Sequence, residues 1–286
     1  PKQVAQGLNY LRRVQAPNGA LHGNAQFFAR MYCHSMAAFA VAEALALTRD
    51  ERLGPVVRGA IDYTISAQHP SDGGWRYRPG NTGDTSQLGW QLMVLHSAEL
   101  AGIDIPEPTW SRVERFLRRV RRGSQGGLAA YRPDSAPSRS MTAEAYYCRQ
   151  LLAHRYGGTV NAPASREAAD SLLRTLPSPQ HVKLYYWYYA TLALHHAQNN
   201  SQHAQAAWHS WNDALTRSLL ATQNEDGSWP ATSVWGGYGG RVYTTAMAAL
   251  CLEVYYRYTP QAAPARRPPG LAGPRFDLAT PYSKIK

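Results

Sequence analysis

One turn recurs along this chain, and it limits the fold more than any other feature. It reads Gln15-Ala-Pro-Asn-Gly19-Ala-Leu21, then Gln68-His-Pro-Ser-Asp72-Gly73-Gly74-Trp75, then Gln223-Asn-Glu-Asp226-Gly227-Ser228-Trp229. A fainter copy ends on Gly123-Ser-Gln-Gly-Gly127-Leu128 without the leading Gln. The faintest, Ser171 to Pro177, has no glycine turn. Ahead of each turn runs an amphipathic helical pattern with Arg, Asp and Glu on one side. Behind each, after a polar loop, come apolar stretches rich in Ala, Leu, Met and aromatics, near 32–47, 85–101, 142–154, 184–198 and 243–258. A helix with little charge on any face is one buried on most sides. A period of about 50 residues, alternating charged outer and apolar inner helices, predicts an all-α array of five hairpins. No period-two alternation is long enough for a sheet. The repeat domain takes residues 1–259. Residues 260–286, broken by Pro260, Pro264, Pro268, Pro269, Pro274 and Pro281, read as a basic extended tail.

The turns have a physical logic. Gly19, Gly73 and Gly227 follow helix ends, where a left-handed backbone costs glycine least. Asp72 and Asp226 before the glycines suit a tight turn. The Gln side chain can bond the open carbonyls of its helix end or the amides of the next inner helix, with Trp75 or Trp229 stacked on it. Such a turn staples neighbouring units together.

This pattern resembles the repeat of the terpene cyclase and protein prenyltransferase superfamily, the prenyltransferase and squalene oxidase repeat: Gly, aromatic, Leu, Gln, then Gly and Trp. Gly7-Leu-Asn-Tyr10-Leu11 through Gln15 to Leu21 matches it with Leu in place of the closing Trp. Gln223 to Trp229 keeps its spacing, and Gln68 to Trp75 has one extra residue. The resemblance spans about residues 4–258 and implies an α/α toroid of five or six helical hairpins. In such a ring the inner helices start at one mouth of a central funnel, gathering the positive ends of their dipoles. The family's acidic clusters, Asp-x-Asp-Asp or Asp-Cys-Thr-Ala-Glu, are not intact here. Asp-Asp-x-x-Asp for magnesium diphosphate and Gly-Cys-Gly-Glu-Gln for a thioester are missing from the sequence.

Site candidates are the residues that open the inner helices. Asp84 and Glu144 are the candidate acids, since protonating an alkene needs a carboxylic acid kept neutral in an apolar cavity. Asp84 followed three residues later by Gln87 also spells a capping box. His34, Gln87, Tyr186, Tyr189 and Tyr243 are candidate ligand-lining residues, from a set that also includes Tyr32, Thr142, Tyr146 and Tyr147. The run Tyr185-Tyr186-Trp187-Tyr188-Tyr189 offers aromatic faces for flat hydrocarbon or a cation. No cofactor is expected. Zinc is the one that residue types allow, through Cys33, His34 and Asp84.

The formal net charge of +11 comes from 30 Lys and Arg against 19 Asp and Glu. Much of it is local: Arg112, Arg115, Arg118, Arg119, Arg121 and Arg122 share one segment with Glu114. This reads as a solvated outer-helix face, or else as a contact for an anionic surface; no nucleic-acid-binding signature accompanies it. No apolar run approaches the roughly 20 residues of a membrane span. Three cysteines suit a reduced compartment such as the cytoplasm. The start on Pro1 leaves a preceding segment and its targeting information open. The expectation is a non-catalytic binding or scaffold domain, holding a hydrophobic small molecule or a protein through its aromatic funnel. The alternative is an isoprenoid-acting cyclase or transferase using Asp84 or Glu144.

Overall fold

In the computed structural model, residues 2–233 and 235–255 are described. The proline-rich tail expected over 260–286 lies outside them, as does the end of the last inner stretch. Five hairpins follow in chain order. Their outer helices are α1 (Lys2–Val14), α3 (Gly54–Ala67), α5 (Glu107–Val120), α7 (Ala162–Leu173) and α9 (Gln202–Thr222). Their inner helices are α2 (Ala29–Thr48), α4 (Thr85–Leu100), α6 (Arg139–Arg155), α8 (Leu184–Ala197) and α10 (Gly236–Leu252). The inner helices pack side by side in the order α2, α4, α6, α8, α10, with outer helices behind them. The fold is an all-α toroid of five hairpins.

Four helices, two inner and two outer, start at a side-chain cap. Asp84, Ser138, Asn161 and Ser201 each accept a backbone N–H from the first turn of α4, α6, α7 and α9. Proline stands in the first turn of α3, α5 and α7, where its missing N–H costs nothing. α10 begins earlier than its apolar pattern, at Gly236. It is kinked at Gly240, which takes φ 71° and ψ −174°.

The staples run between outer helices rather than to an inner one. Gln15 Nε2 donates to the carbonyls of Gly19 (3.0 Å) and of Val56 (2.9 Å), in the first turn of α3. Gln68 repeats this with Gly73 (2.8 Å) and with Thr109 of α5 (3.2 Å). The expected partners, helix-end carbonyls or inner-helix amides, are replaced by the turn's own carbonyl and one of the next outer helix. Trp75 and Trp229 instead donate their indole N–H to their own outer helices, at Thr64 (2.7 Å) and Leu219 (2.9 Å). Gly19 and Gly73 hold positive φ and lie hard against the neighbour. A Cβ there would sit 1.9 Å from the Gly59 carbonyl oxygen and 2.0 Å from that of Arg112. In the third unit a short antiparallel pair, β1 (Arg121–Arg122) and β2 (Leu128–Ala129), stands where the Gln is lost. The sequence pattern held no sign of it.

The fifth unit is built the same way but meets no further outer helix among the described residues. Gln223 bonds only its own Gly227 carbonyl (2.9 Å), and a Cβ on Gly227 would find no contact closer than 4.0 Å. Accordingly α10 leaves Val242, Ala246 and Ala249 exposed, and α2 leaves Cys33, Ala40 and Leu47 exposed. Among the described residues the ring is open between these two helices, bridged at its mouth by Phe28 edge-on to Tyr238, with centroids 5.5 Å apart. α2 also corrects the membrane expectation: its 20 residues, mean hydropathy 1.2, are long and apolar enough to cross a bilayer. Here that apolarity belongs to an inner helix packed against α3 and α4.

Candidate functional site

Asp84 and Glu144 open α4 and sit one turn into α6, and the ring brings them into one hydrogen-bonded network. Both are fully buried. Asp84 caps α4: Oδ1 accepts from the Gln87 N–H (3.0 Å) and the Ser86 hydroxyl (2.8 Å). Oδ2 accepts from the Tyr131 hydroxyl (2.8 Å), with the Arg76 guanidinium 3.3 Å away. Tyr131 reaches this point because its own carbonyl and that of Ala130 are tied to Thr85. Since Ser86 Oγ gives its proton to Asp84, the Tyr32 hydroxyl 2.6 Å away is the donor to Ser86.

Glu144 is held from the other side. Its Oε1 accepts the Gly89 N–H at 2.9 Å, and Oε2 lies 2.6 Å from the Tyr185 hydroxyl. That hydroxyl also faces the Ser86 carbonyl at 2.8 Å. Tyr185 has one proton and two acceptors. Its hydroxyl therefore stands between the Glu144 carboxyl and the Ser86 carbonyl. Burial pushes the Glu144 carboxyl well above its ordinary range, with the Asp84 charge adding to the shift. Burial also raises Asp84, against the bonds from Ser86, Tyr131 and Gln87 and the charge of Arg76. Two carboxyl groups thus share the centre with no exposed oxygen.

Gly89 makes this possible. A Cβ there would lie 2.5 Å from Glu144 Oε1 and 2.7 Å from the Tyr189 hydroxyl. Trp90 stacks on Tyr188 at 5.6 Å and meets Tyr189 edge-on at 5.9 Å, so large side chains occupy the space between α4 and α8. The Tyr189 hydroxyl and both amide atoms of Gln87 are buried without a hydrogen-bond partner in the protein.

One open volume among the described residues lies at the rim. A cleft of about 590 Å³ separates the start of α8 from residues 232–243. Tyr185, Tyr186, Trp235 and Tyr243 line it, with His181 and Lys183. Tyr186 is anchored by donating to the Leu172 carbonyl (3.0 Å), and burial pushes Tyr243 up to about 12. Tyr185 belongs to both places, forming the cleft wall and holding Glu144.

The residues near the start of α2 diverge. Tyr32 joins the centre and Cys33 is exposed. His34 is buried toward the outer layer, its Nδ1 accepting from the Leu21 N–H (3.1 Å) and Nε2 facing Thr64 (2.9 Å). With Nδ1 an acceptor, the proton sits on Nε2. Both His34 nitrogens are thereby occupied. Among the described residues no three His, Cys, Asp or Glu side chains group to hold a metal. Of the ligand-lining candidates, Tyr186 and Tyr243 face the rim cleft, while His34, Gln87 and Tyr189 are in the interior. Ser86, Gly89, Arg76, Tyr77 and Tyr131 escaped the sequence reading. A glycine inside an apolar inner helix was the one available sign.

No family model and no curated protein matches the chain. Among solved structures, a protein from Actinoplanes has a TM-score of 0.56 at 19% identity, covering 88% of this chain and 74% of that one. The type II terpene cyclase MstE from Scytonema has a TM-score of 0.37 at 16% identity, over 80% of this chain and 82% of that one. A variant of MstE in complex with its product merosterolic acid A has a TM-score of 0.37 at 15% identity, over 88% and 97%. The likeness to the Actinoplanes protein is one of fold.

Proposed function

We propose that this chain is a binding domain. Its working surface is the rim cleft, which takes a hydrophobic small molecule or an apolar segment of a protein against Tyr186 and Tyr243. The supporting observation is the contrast between centre and rim. At the centre each carboxyl oxygen of Asp84 and Glu144 is engaged by a protein group and none reaches solvent. An acid that protonates a substrate must turn its proton toward that substrate. Here the oxygens of Glu144 face the Gly89 N–H and the Tyr185 hydroxyl. At the rim, aromatic faces border open volume of the size that small ligands occupy.

One observation favours a second reading, an isoprenoid-acting cyclase. Two buried carboxyl groups with raised affinity for protons, joined through Ser86 and Tyr185, are the kind of pair acid catalysis uses. The two readings separate on incubation with linear polyprenyl alcohols and diphosphates followed by mass spectrometry. The binding reading predicts that each compound is recovered unchanged. A cyclised product that disappears in Asp84→Asn or Glu144→Gln would establish the enzyme instead.

A further inference from the structure

The arginine run of α5 and β1 contributes to a second concavity, remote from the rim cleft. It measures about 690 Å³ and is lined by Arg118, Arg121, Arg122, the loop 123–126, Asn161 and Pro163. The arginines are held in place mainly by neutral groups. Arg121 donates to the carbonyls of Gly126 (3.2 Å) and Gln125 (3.0 Å). Arg122 donates to those of Ser135, Arg119, Arg121 and Pro133. Such bonds fix the forks without cancelling their charge.

Two carboxylates stand near the site, fewer than its guanidinium groups. Glu114 pairs with Arg118 at 2.8 Å, both partly in solvent. Glu167 spends its oxygens on the loop backbone, accepting from the N–H groups of Ser124 (2.8 Å), Gln125 (3.1 Å) and Gly127 (2.7 Å). Beneath the loop a further guanidinium, Arg149, donates to the Gly126 and Gly127 carbonyls. Three guanidinium groups at the hollow and one beneath it therefore lie about the five-residue loop 123–127, and those of Arg121 and Arg149 repel each other. An adjoining groove shares Ser124, Gln125 and Pro163 and is of mixed charge, adding Arg166 and Arg174 beside Glu167 and Asp170.

We propose that this concavity binds a compact ligand carrying two or more phosphate groups. Preset guanidinium forks match phosphate oxygens in pairs. The arginines gather about one short loop rather than along a stripe, an arrangement that suits a small polyanion better than a polymer. The ligand's phosphates could belong to a free metabolite or to a lipid headgroup, and the test separates them.

Calorimetric titration with inorganic pyrophosphate at low salt should show saturable binding, one per chain, weakening as salt rises. Arg118→Glu, at an exposed position, should lower that affinity by about tenfold or more. Arg112→Glu makes the same charge change outside the hollow and should lower it by less than about threefold, since through-solvent effects are screened. Flotation with phosphatidylcholine vesicles, with and without phosphatidylinositol bisphosphate, then assigns the source. Capture competed by pyrophosphate indicates the headgroup, and failure to float indicates a free ligand. Three results would overturn the proposal: no saturable pyrophosphate binding, equal losses in the two variants, or retention by duplex DNA alone.

Discussion

Gln68 and Gln223 occupy the same place in two copies of one turn, and the difference between them is worth measuring. Gln68 is buried and bridges Gly73 to Thr109 of the next outer helix. Removing it strands two carbonyls and should cost about 1–3 kcal/mol. Gln223 is exposed and holds only its own turn, so Gln223→Ala should cost under about 0.5 kcal/mol in the same urea titration. His34 makes a pH prediction. Burial lowers it from 6.5 to about 3, with the charge of His22 adding to the shift. A folded pKa below the unfolded one means the unfolded state binds the extra proton, so stability is lost as pH falls from 6.5 toward 3. His34→Asn keeps an acceptor for the Leu21 N–H and should flatten this acid slope by up to about 1.4 kcal/mol per pH unit. Glu144 has the opposite sign. Its raised carboxyl favours folding at low pH and is a growing liability as pH climbs above the usual carboxylate range. Glu144→Gln should remove that loss, seen as a flatter Tm from pH 5 to pH 8.

Along α4, helix propensity and packing disagree at one position. Ala normally stabilises a helix interior relative to Gly by up to about 1 kcal/mol. At Gly89 the added Cβ would strike Glu144 and the Tyr189 hydroxyl. Gly89→Ala should therefore destabilise by about 1–3 kcal/mol, and unfolding curves that showed a gain would contradict the packing of α4 on α6 and α8. This element also shows what was legible in the sequence. Apolar composition marked α2, α4, α6 and α8 to within about three residues, because an inner helix must be apolar all round. Asp84 and Gln87 marked a helix start because capping is local chemistry. The partnership of Glu144 with Gly89 and Tyr185 was not legible. It joins residues 55 and 41 positions apart, a distance that only the ring's curvature spans. The β1–β2 pair was missed for a related reason: two-residue strands leave no period to read.

At the scale of the ring, the recurring turn foretold five hairpins and their order. The turn could not say whether the centre would be hollow. It is large side chains, Trp90, Tyr188 and Tyr189, and the bonded carboxyls above them that occupy it. The fifth turn shows how an open ring is recorded in its parts: the glycine and glutamine remain, and the neighbour they serve elsewhere is not met among the described residues. The central claim is that ligand meets this protein at the rim. Fluorescence titration with a polyprenyl alcohol, run on the native chain and on Tyr243→Ala and Glu144→Gln, tests it most directly. The account predicts that Tyr243→Ala weakens binding by about tenfold or more while Glu144→Gln leaves it within about threefold. The reverse pattern, with binding lost in Glu144→Gln and kept in Tyr243→Ala, would place the ligand in the centre and contradict it.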